Sequence, residues 1–124
     1  MNSDPNCIFC KIVRGEVPSR KVHEDEEILA FHDIDPVAPV HILVIPKTHI
    51  PSMAELSGEH AGVVGRMMVM AGRLAAEQGS PEGFRVIVNT GRIGRQDVYH
   101  LHMHVIGSTQ PLPGMIARTQ TQGS

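Results

Sequence analysis

Aromatic side chains are scarce in this chain of 124 residues, which contains three Phe, one Tyr and no Trp. Proteins that bind single-stranded nucleic acid stack successive bases on aromatic side chains, so this scarcity argues against that function. The chain also lacks an excess of positive charge, because 11 Lys and Arg stand against 13 Asp and Glu. The formal net charge of -2 excludes a broad electrostatic surface for duplex DNA or an anionic membrane.

Long hydrophobic runs are absent as well. No apolar segment approaches the roughly 20 residues that a membrane-spanning helix needs. Residues 1–6, MNSDPN, are polar and have neither the basic nor the apolar region of a signal peptide. We therefore expect a cytoplasmic protein without a membrane or nucleic-acid partner. The length suits a single domain over residues 1–124 with its own hydrophobic core.

Cysteine is limited to Cys7 and Cys10, which stand as CIFC. A disulfide between them would close a very small loop and add little stability, which argues against a secreted disulfide scaffold. Metal ligation, a redox pair and two small buried residues all remain open. The redox interpretation is weakened because such pairs normally follow a strand, and no strand is predicted before Cys7.

The hydrophobic pattern predicts an α+β domain. A short helix is predicted over residues 8–13 and a long one within residues 57–79, where apolar residues recur at helical spacing. Strand patterns occupy five segments, residues 21–25, 28–31, 41–45, 84–88 and 102–106. This order predicts a meandering, mainly antiparallel five-stranded sheet with one long and one short helix.

Histidine is abundant, with eight residues, and His100, His102 and His104 alternate with apolar residues. On a strand they would share one face, which cannot be ordinary core because every imidazole needs hydrogen-bond partners. Two chemistries fit: a shared metal ion, or nucleophilic attack on phosphorus by an imidazole nitrogen. Asn89 and the glycine-containing loop at residues 91–94 offer donors for an oxyanion, which favours a phosphate site.

Residues 99–105, YHLHMHV, resemble the signature of the histidine triad superfamily, and within it the nucleotide-binding, purine phosphoramidase-like branch. Four further segments resemble the family in the same order: CIFCKI at 7–12, AFHDI at 30–34, APVHILVIPK at 38–47 and VNT at 88–90. The resemblance covers a core of about residues 7–108, followed by a C-terminal arm at 110–124. It implies the HIT-like fold and a homodimer in which two sheets join into one.

The resemblance also implies roles for a network of polar residues. His102 would attack the α-phosphorus and carry a covalent nucleotidyl group. His104 would contact the phosphate and help to protonate the leaving group, while His100 and His41 would orient the other imidazoles. Asn89 would hydrogen-bond a phosphate oxygen or the leaving group.

By the same resemblance, Asp33 would accept hydrogen bonds from the ribose hydroxyls. The pocket for base and sugar would be formed by Ile8, Phe9, Ile12, Phe31, His32 and Ile34. The chain departs from the family pattern at Asp97, where close relatives carry serine and bacterial members often an acid. This carboxylate would either repel phosphate or accept a proton from a leaving amine. A second departure is GRQ at residues 94–96, where relatives often have GGQ.

Cys7 and Cys10 supply half of a tetrahedral zinc shell, and structural sites often mix cysteine with histidine. The resemblance implies that the other two ligands would be His49 and His100. We therefore expect a structural zinc ion and no organic cofactor.

The leading hypothesis is a hydrolase of purine nucleoside monophosphoramidates or related nucleotidyl conjugates, with an AMP-like product. One alternative is a dinucleoside polyphosphate hydrolase or nucleotidyl transferase. Another is a nucleotide-binding regulatory or scaffold protein whose catalysis is incidental.

Overall fold

The computed structural model describes residues 2–114 of the chain. Within them the elements are, in order, helix α1 (Ile8–Val13), strands β1 (Lys21–Glu24), β2 (Ile28–His32) and β3 (Val40–Pro46), helix α2 (Ala61–Glu77), and strands β4 (Arg85–Ile87) and β5 (Met103–Gly107). The strands form one sheet in the order β1-β2-β3-β5-β4, and every neighbouring pair is antiparallel. The predicted fold class, an α+β domain with a five-stranded antiparallel sheet, is confirmed.

The long helix is shorter than the segment predicted at residues 57–79. A single turn of 3-10 helix at Gly58–His60 precedes it, where the Ser57 backbone N–H donates to His60 Nδ1 over 3.0 Å. The helix ends at Glu77, and Gly79 adopts φ 117, a left-handed conformation that favours glycine and stops a helix.

The last strand begins at Met103, although residues 102–106 were predicted as a strand. Met103 pairs with Val44 near the end of β3, and beyond this point the chain leaves the ladder. The Leu101 N–H donates instead to the carbonyl oxygen of Ile50 over 2.7 Å. His100 and His102 therefore precede β5, and His104 alone of the three lies within it.

The two faces of the sheet carry separate apolar clusters. On one face, α2 packs Met67, Met70 and Leu74 against side chains such as Ile42 and Val105. The opposite face is covered by α1, whose buried Phe9 and Ile12 pack against strand residues Leu29, Phe31, Leu43 and Ile45. Because side chains alternate along a strand, His41 lies on the α1 face of β3, and the site forms there.

Within residues 2–114, no helix combines the length and apolarity needed to cross a membrane. The expected C-terminal arm at 110–124 is described only to residue 114, and residues 110–114 form no helix or strand. Residues 115–124 of that arm lie outside the described residues.

Candidate active site

His102 is buried, and a backbone carbonyl determines which of its two ring nitrogens carries the proton. Its Nδ1 lies 2.8 Å from the carbonyl oxygen of His100. Since a carbonyl oxygen only accepts, Nδ1 carries the proton and Nε2 of the neutral ring keeps its lone pair. The nearest charge to this free nitrogen is Asp97, whose Oδ1 lies 3.4 Å from Nε2 while most of its side chain is exposed. His102 therefore presents an unprotonated, nucleophilic nitrogen.

A second chain of hydrogen bonds runs through His41 and His104. The Val37 backbone N–H donates to His41 Nδ1 over 3.1 Å, so His41 carries its proton on Nε2. His41 Nε2 then donates to His104 Nδ1 over 2.9 Å, which leaves the proton of His104 on Nε2. His104 Nε2 is buried and has no hydrogen-bond partner in residues 2–114. It is a donor that awaits an acceptor, such as a phosphate oxygen.

Burial favours the neutral form of His41 and His104. Removal from water lowers the pKa of His104, and the neighbouring His102 and His41 lower it further. Burial also lowers the pKa of His41, although the carboxylates of Asp33 and Asp35 oppose this shift. Asp33 Oδ2 lies 3.4 Å from His41 Nε2 and so adjoins the network. In the neutral pair, the proton on His104 Nε2 is free for a hydrogen bond to a ligand.

His100 connects the nucleophile to a cluster of sulfur and nitrogen atoms. Its Nε2 donates to the Pro46 carbonyl oxygen over 2.7 Å, and its Nδ1 faces Cys7, Cys10 and His49. Burial lowers the pKa of His100 to about 4, so the ring is neutral and Nδ1 has a free lone pair.

The four ligand atoms of this cluster lie within 4.8 Å of one another, and the distances from His100 match a tetrahedral zinc site. His100 Nδ1 lies 3.4 Å from Cys7 Sγ, 3.5 Å from Cys10 Sγ and 3.3 Å from His49 Nδ1. Zinc bonds of about 2.0 Å to nitrogen and about 2.3 Å to sulfur place a nitrogen ligand roughly 3.3–3.5 Å from the other ligand atoms. Burial raises the pKa of the Cys7 thiol, so a bound cation is needed to hold a thiolate there. The residues fit a zinc ion.

A cavity of about 450 Å³ adjoins the network at Asp33. It is lined by Pro18, Ser19, Arg20, His32, Asp33, Ile34 and Pro36. Three residues expected in the nucleotide pocket, His32, Asp33 and Ile34, therefore share one cavity, and Ile34 is 98% exposed. The wall at residues 18–20 was not anticipated, because the sequence marks it only as the end of a helix.

The other residues expected in the pocket belong to α1 or to the apolar cluster beneath it. Phe9, Ile12 and Phe31 are buried together in the cluster under α1, and Ile8 is partly exposed on that helix. The ring of Phe9 stands edge-on to His102 with centroids 5.2 Å apart, so it packs directly against the nucleophile.

Gln96, to which the sequence analysis gave no role beyond the GRQ segment, holds the loop between β4 and the histidines. Its Nε2 donates to the carbonyl oxygens of Pro51 and Val98, and its Oε1 accepts from the Gly91 N–H. The neighbouring Arg95 has φ 61, a strained conformation for a residue other than glycine. Asn89 is half-buried at the start of this loop, two residues beyond Ile87, which pairs with His104.

Comparison with known proteins identifies close relatives. A family model described as scavenger mRNA decapping enzyme C-term binding matches residues 6–120. The purine nucleoside phosphoramidase of Escherichia coli (strain K12) is 48% identical over 111 residues, which is 89% of this chain and 92% of that protein. Protein HitA of Neisseria gonorrhoeae is 46% identical over 103 residues, 83% of this chain and 96% of the relative.

Solved structures of other proteins are also similar to this chain in fold and sequence. A histidine triad protein from Clostridium difficile superposes with a TM-score of 0.86 at 44% identity, covering 92% of this chain and 99% of the other. A HIT family hydrolase from Legionella pneumophila Philadelphia 1 gives a TM-score of 0.81 at 42% identity, and the match covers 85% of this chain and 95% of the hydrolase.

Proposed function

The chain belongs to the histidine triad superfamily, and we propose that it hydrolyses the phosphorus–nitrogen bond of purine nucleoside monophosphoramidates through a nucleotidyl group on His102. One observation carries the proposal. His102 Nε2 is held unprotonated by the bond from Nδ1 to the His100 carbonyl oxygen, beside a buried His104 Nε2–H that has no acceptor in residues 2–114. A nucleophile and an unused donor are what displacement at phosphorus requires.

In the first step, His102 Nε2 attacks the α-phosphorus and the bond from phosphorus to the leaving nitrogen breaks. The anionic phosphate opposes the effect of burial and favours an added proton on the pair of His41 and His104. His104 Nε2 gives a proton to the departing nitrogen, so that the leaving group is a neutral amine.

In the second step, water attacks the phosphorus and His102 departs as a neutral imidazole. His104 Nε2 now takes a proton from the attacking water and returns to its earlier state. The products are an amine and a nucleoside monophosphate. Asn89 supports both steps by binding a phosphate oxygen or the leaving group.

Asp97 favours an amine over a polyphosphate leaving group. Its carboxylate Oδ1 lies 3.4 Å from the nucleophilic nitrogen of His102, where a chain of phosphates would be repelled. A leaving amine gains from a nearby carboxylate, which stabilises it once it is protonated. This supports phosphoramidates over dinucleoside polyphosphates as substrates.

We also propose that Cys7, Cys10, His49 and His100 hold a structural zinc ion. When bound, the ion supplies no catalytic chemistry and only fixes its ligands. Among these ligands, His100 has the most direct effect on the nucleophile, because its carbonyl oxygen accepts a hydrogen bond from His102 Nδ1. Thiols that must stay reduced for this purpose suit the cytoplasm.

A homodimer with a joined sheet is a further part of the proposal. β4 is an edge strand of three residues, so its outer backbone groups are available for pairing. Exposed apolar side chains lie on α2, at Met68 and Val69, and next to β4, at Phe84. Light scattering tests this part: a mass near 27 kDa, twice the 13.5 kDa of one chain, is expected, and 13.5 kDa would contradict it.

Hydrolysis of adenosine 5′-phosphoramidate by the wild-type chain and by His102→Ala tests the activity. His60→Ala is a matched control, because His60 lies just before α2 with its imidazole hydrogen-bonded to Ser57, outside the histidine network. We expect turnover in the wild type and the control and none in His102→Ala. If the wild type binds AMP tightly but shows no turnover, the protein is a binding module and the proposal is wrong.

A further inference from the structure

One wall of the 450 Å³ cavity has no role in the proposed reaction. Asp33 and Ile34 lie on the side that adjoins His41, whereas Arg20 belongs to the segment that leads into β1. The two sides are tied together, because the His32 N–H donates to the Arg20 carbonyl oxygen over 3.0 Å. The backbone of Arg20 is therefore fixed at the cavity by the end of β2.

The guanidinium of Arg20 is available to a ligand. It forms no hydrogen bond and no ion pair with any side chain in residues 2–114, and the side chain is exposed. Its charge reaches into the cavity: after burial, the second cause that lowers the pKa of His32 is repulsion by Arg20. A cation with five donors thus lies at the cavity wall without an acceptor.

The direction of a bound nucleotide follows from the network. His104 marks the phosphate, and the sequence of contacts from His104 to His41 to Asp33 leads away from it toward the cavity. With the ribose at Asp33, the base extends to the far side of the cavity. Pro18 and Arg20 belong to the wall on that side.

On the basis of the proposed function, we propose that Arg20 determines base specificity by binding the O6 and N7 atoms of guanine. An arginine fork forms two parallel hydrogen bonds with this pair of acceptors. Adenine has the N7 acceptor but carries an amino group at position 6, which places a donor against a donor. The protein therefore prefers guanosine phosphoramidates to adenosine phosphoramidates, and a bidentate contact of this kind corresponds to a preference of roughly 5- to 100-fold.

The test compares kcat/KM for guanosine and adenosine 5′-phosphoramidates with the same amine. Three chains are measured: the wild type, Arg20→Gln, and Arg66→Gln as a matched loss of one arginine on α2, where Arg66 pairs with Glu27. We expect the wild type and Arg66→Gln to prefer guanosine by at least about 5-fold. In Arg20→Gln the ratio should fall to near one through a loss on the guanosine substrate.

A ratio near one in the wild type, or an unchanged ratio in Arg20→Gln, would overturn the inference. Binding of GMP and AMP, measured by calorimetry, separates it from the proposed function. If neither phosphoramidate is hydrolysed but GMP binds more tightly than AMP and Arg20→Gln removes the difference, the activity is wrong and the base specificity stands. If both are hydrolysed equally, the activity stands and Arg20 does not select the base.

Discussion

His100 and His102 are joined by a hydrogen bond of 2.8 Å from the ring Nδ1 of His102 to the backbone carbonyl oxygen of His100. The same His100 directs its own ring toward two thiols and the imidazole of His49. The position of the nucleophile is thus set by a residue that also belongs to the proposed zinc cluster. Any change in that cluster should therefore alter the position of His102, through His100, and so the rate of the reaction.

Removal of the proposed zinc should slow turnover more than it weakens nucleotide binding. Cys10→Ser weakens the cluster without touching the cavity, so we expect lower metal content, a lower Tm and a lower kcat, with the Kd for AMP little changed. Elemental analysis of protein purified without chelator, together with kcat and Kd, checks this. Zinc-free protein with both thiols titratable and full activity would contradict the zinc proposal.

The bond from His41 to His104 should be needed for proton transfer. His41→Ala removes the donor that holds the proton of His104 on Nε2, so we expect kcat to fall by about 10²-fold or more. His41→Gln is the matched variant, because its side-chain amide N–H can donate to His104 Nδ1 in place of the imidazole. Partial recovery of kcat in His41→Gln is expected. Equal activity of both variants and the wild type would show that the bond has no role.

The free energy of unfolding should fall as the pH drops below about 6.5. Burial lowers the pKa of His41 and His104, so the unfolded chain takes up protons first as the solution is acidified. Well above pH 6.5 these imidazoles are neutral in both states, and as the pH falls through about 6.5 the unfolded chain binds protons that the folded chain does not.

Urea unfolding between pH 7.5 and about 4.5 measures this dependence. His41→Gln has one buried imidazole fewer, so its stability should fall less steeply over the same range. A free energy of unfolding that stays constant from pH 7 to pH 5 would contradict the burial of neutral histidines.

Asp97→Asn should change the choice of leaving group. Removing the carboxylate near His102 Nε2 relieves repulsion of phosphates, so hydrolysis of diadenosine polyphosphates should rise relative to that of adenosine 5′-phosphoramidate. The measured quantity is the ratio of the two kcat/KM values. An unchanged ratio would mean that the exposed Asp97 side chain does not face the leaving group.

The sequence predicted the residue types of the site better than their placement. The alternation of His100, His102 and His104 suggested one shared strand face, and the four residues of the proposed zinc cluster were named from a resemblance. In the structure the histidines have different partners: His100 faces the thiols, whereas His104 forms a hydrogen bond with His41. Spacing along the chain could not show this, because β5 begins only after His102.

Other features depend on contacts between distant parts of the chain. The Val37 N–H sets the proton position on His41, and no pattern around Val37 indicates this. Likewise, Arg20 reaches the cavity because its carbonyl oxygen pairs with His32 across the hairpin. The position of β5 between β3 and β4 follows from the crossover through α2, which hydrophobic periodicity does not encode.

The central claim is that His102 carries the nucleotide during turnover. Rapid acid-free quenching of the enzyme with excess adenosine 5′-phosphoramidate, followed by peptide mapping by mass spectrometry, tests it directly. The account predicts an adenylyl group on the peptide containing His102, formed and lost at rates compatible with kcat, and absent in His102→Ala. An unmodified His102 peptide throughout a turnover that still releases AMP would contradict the account.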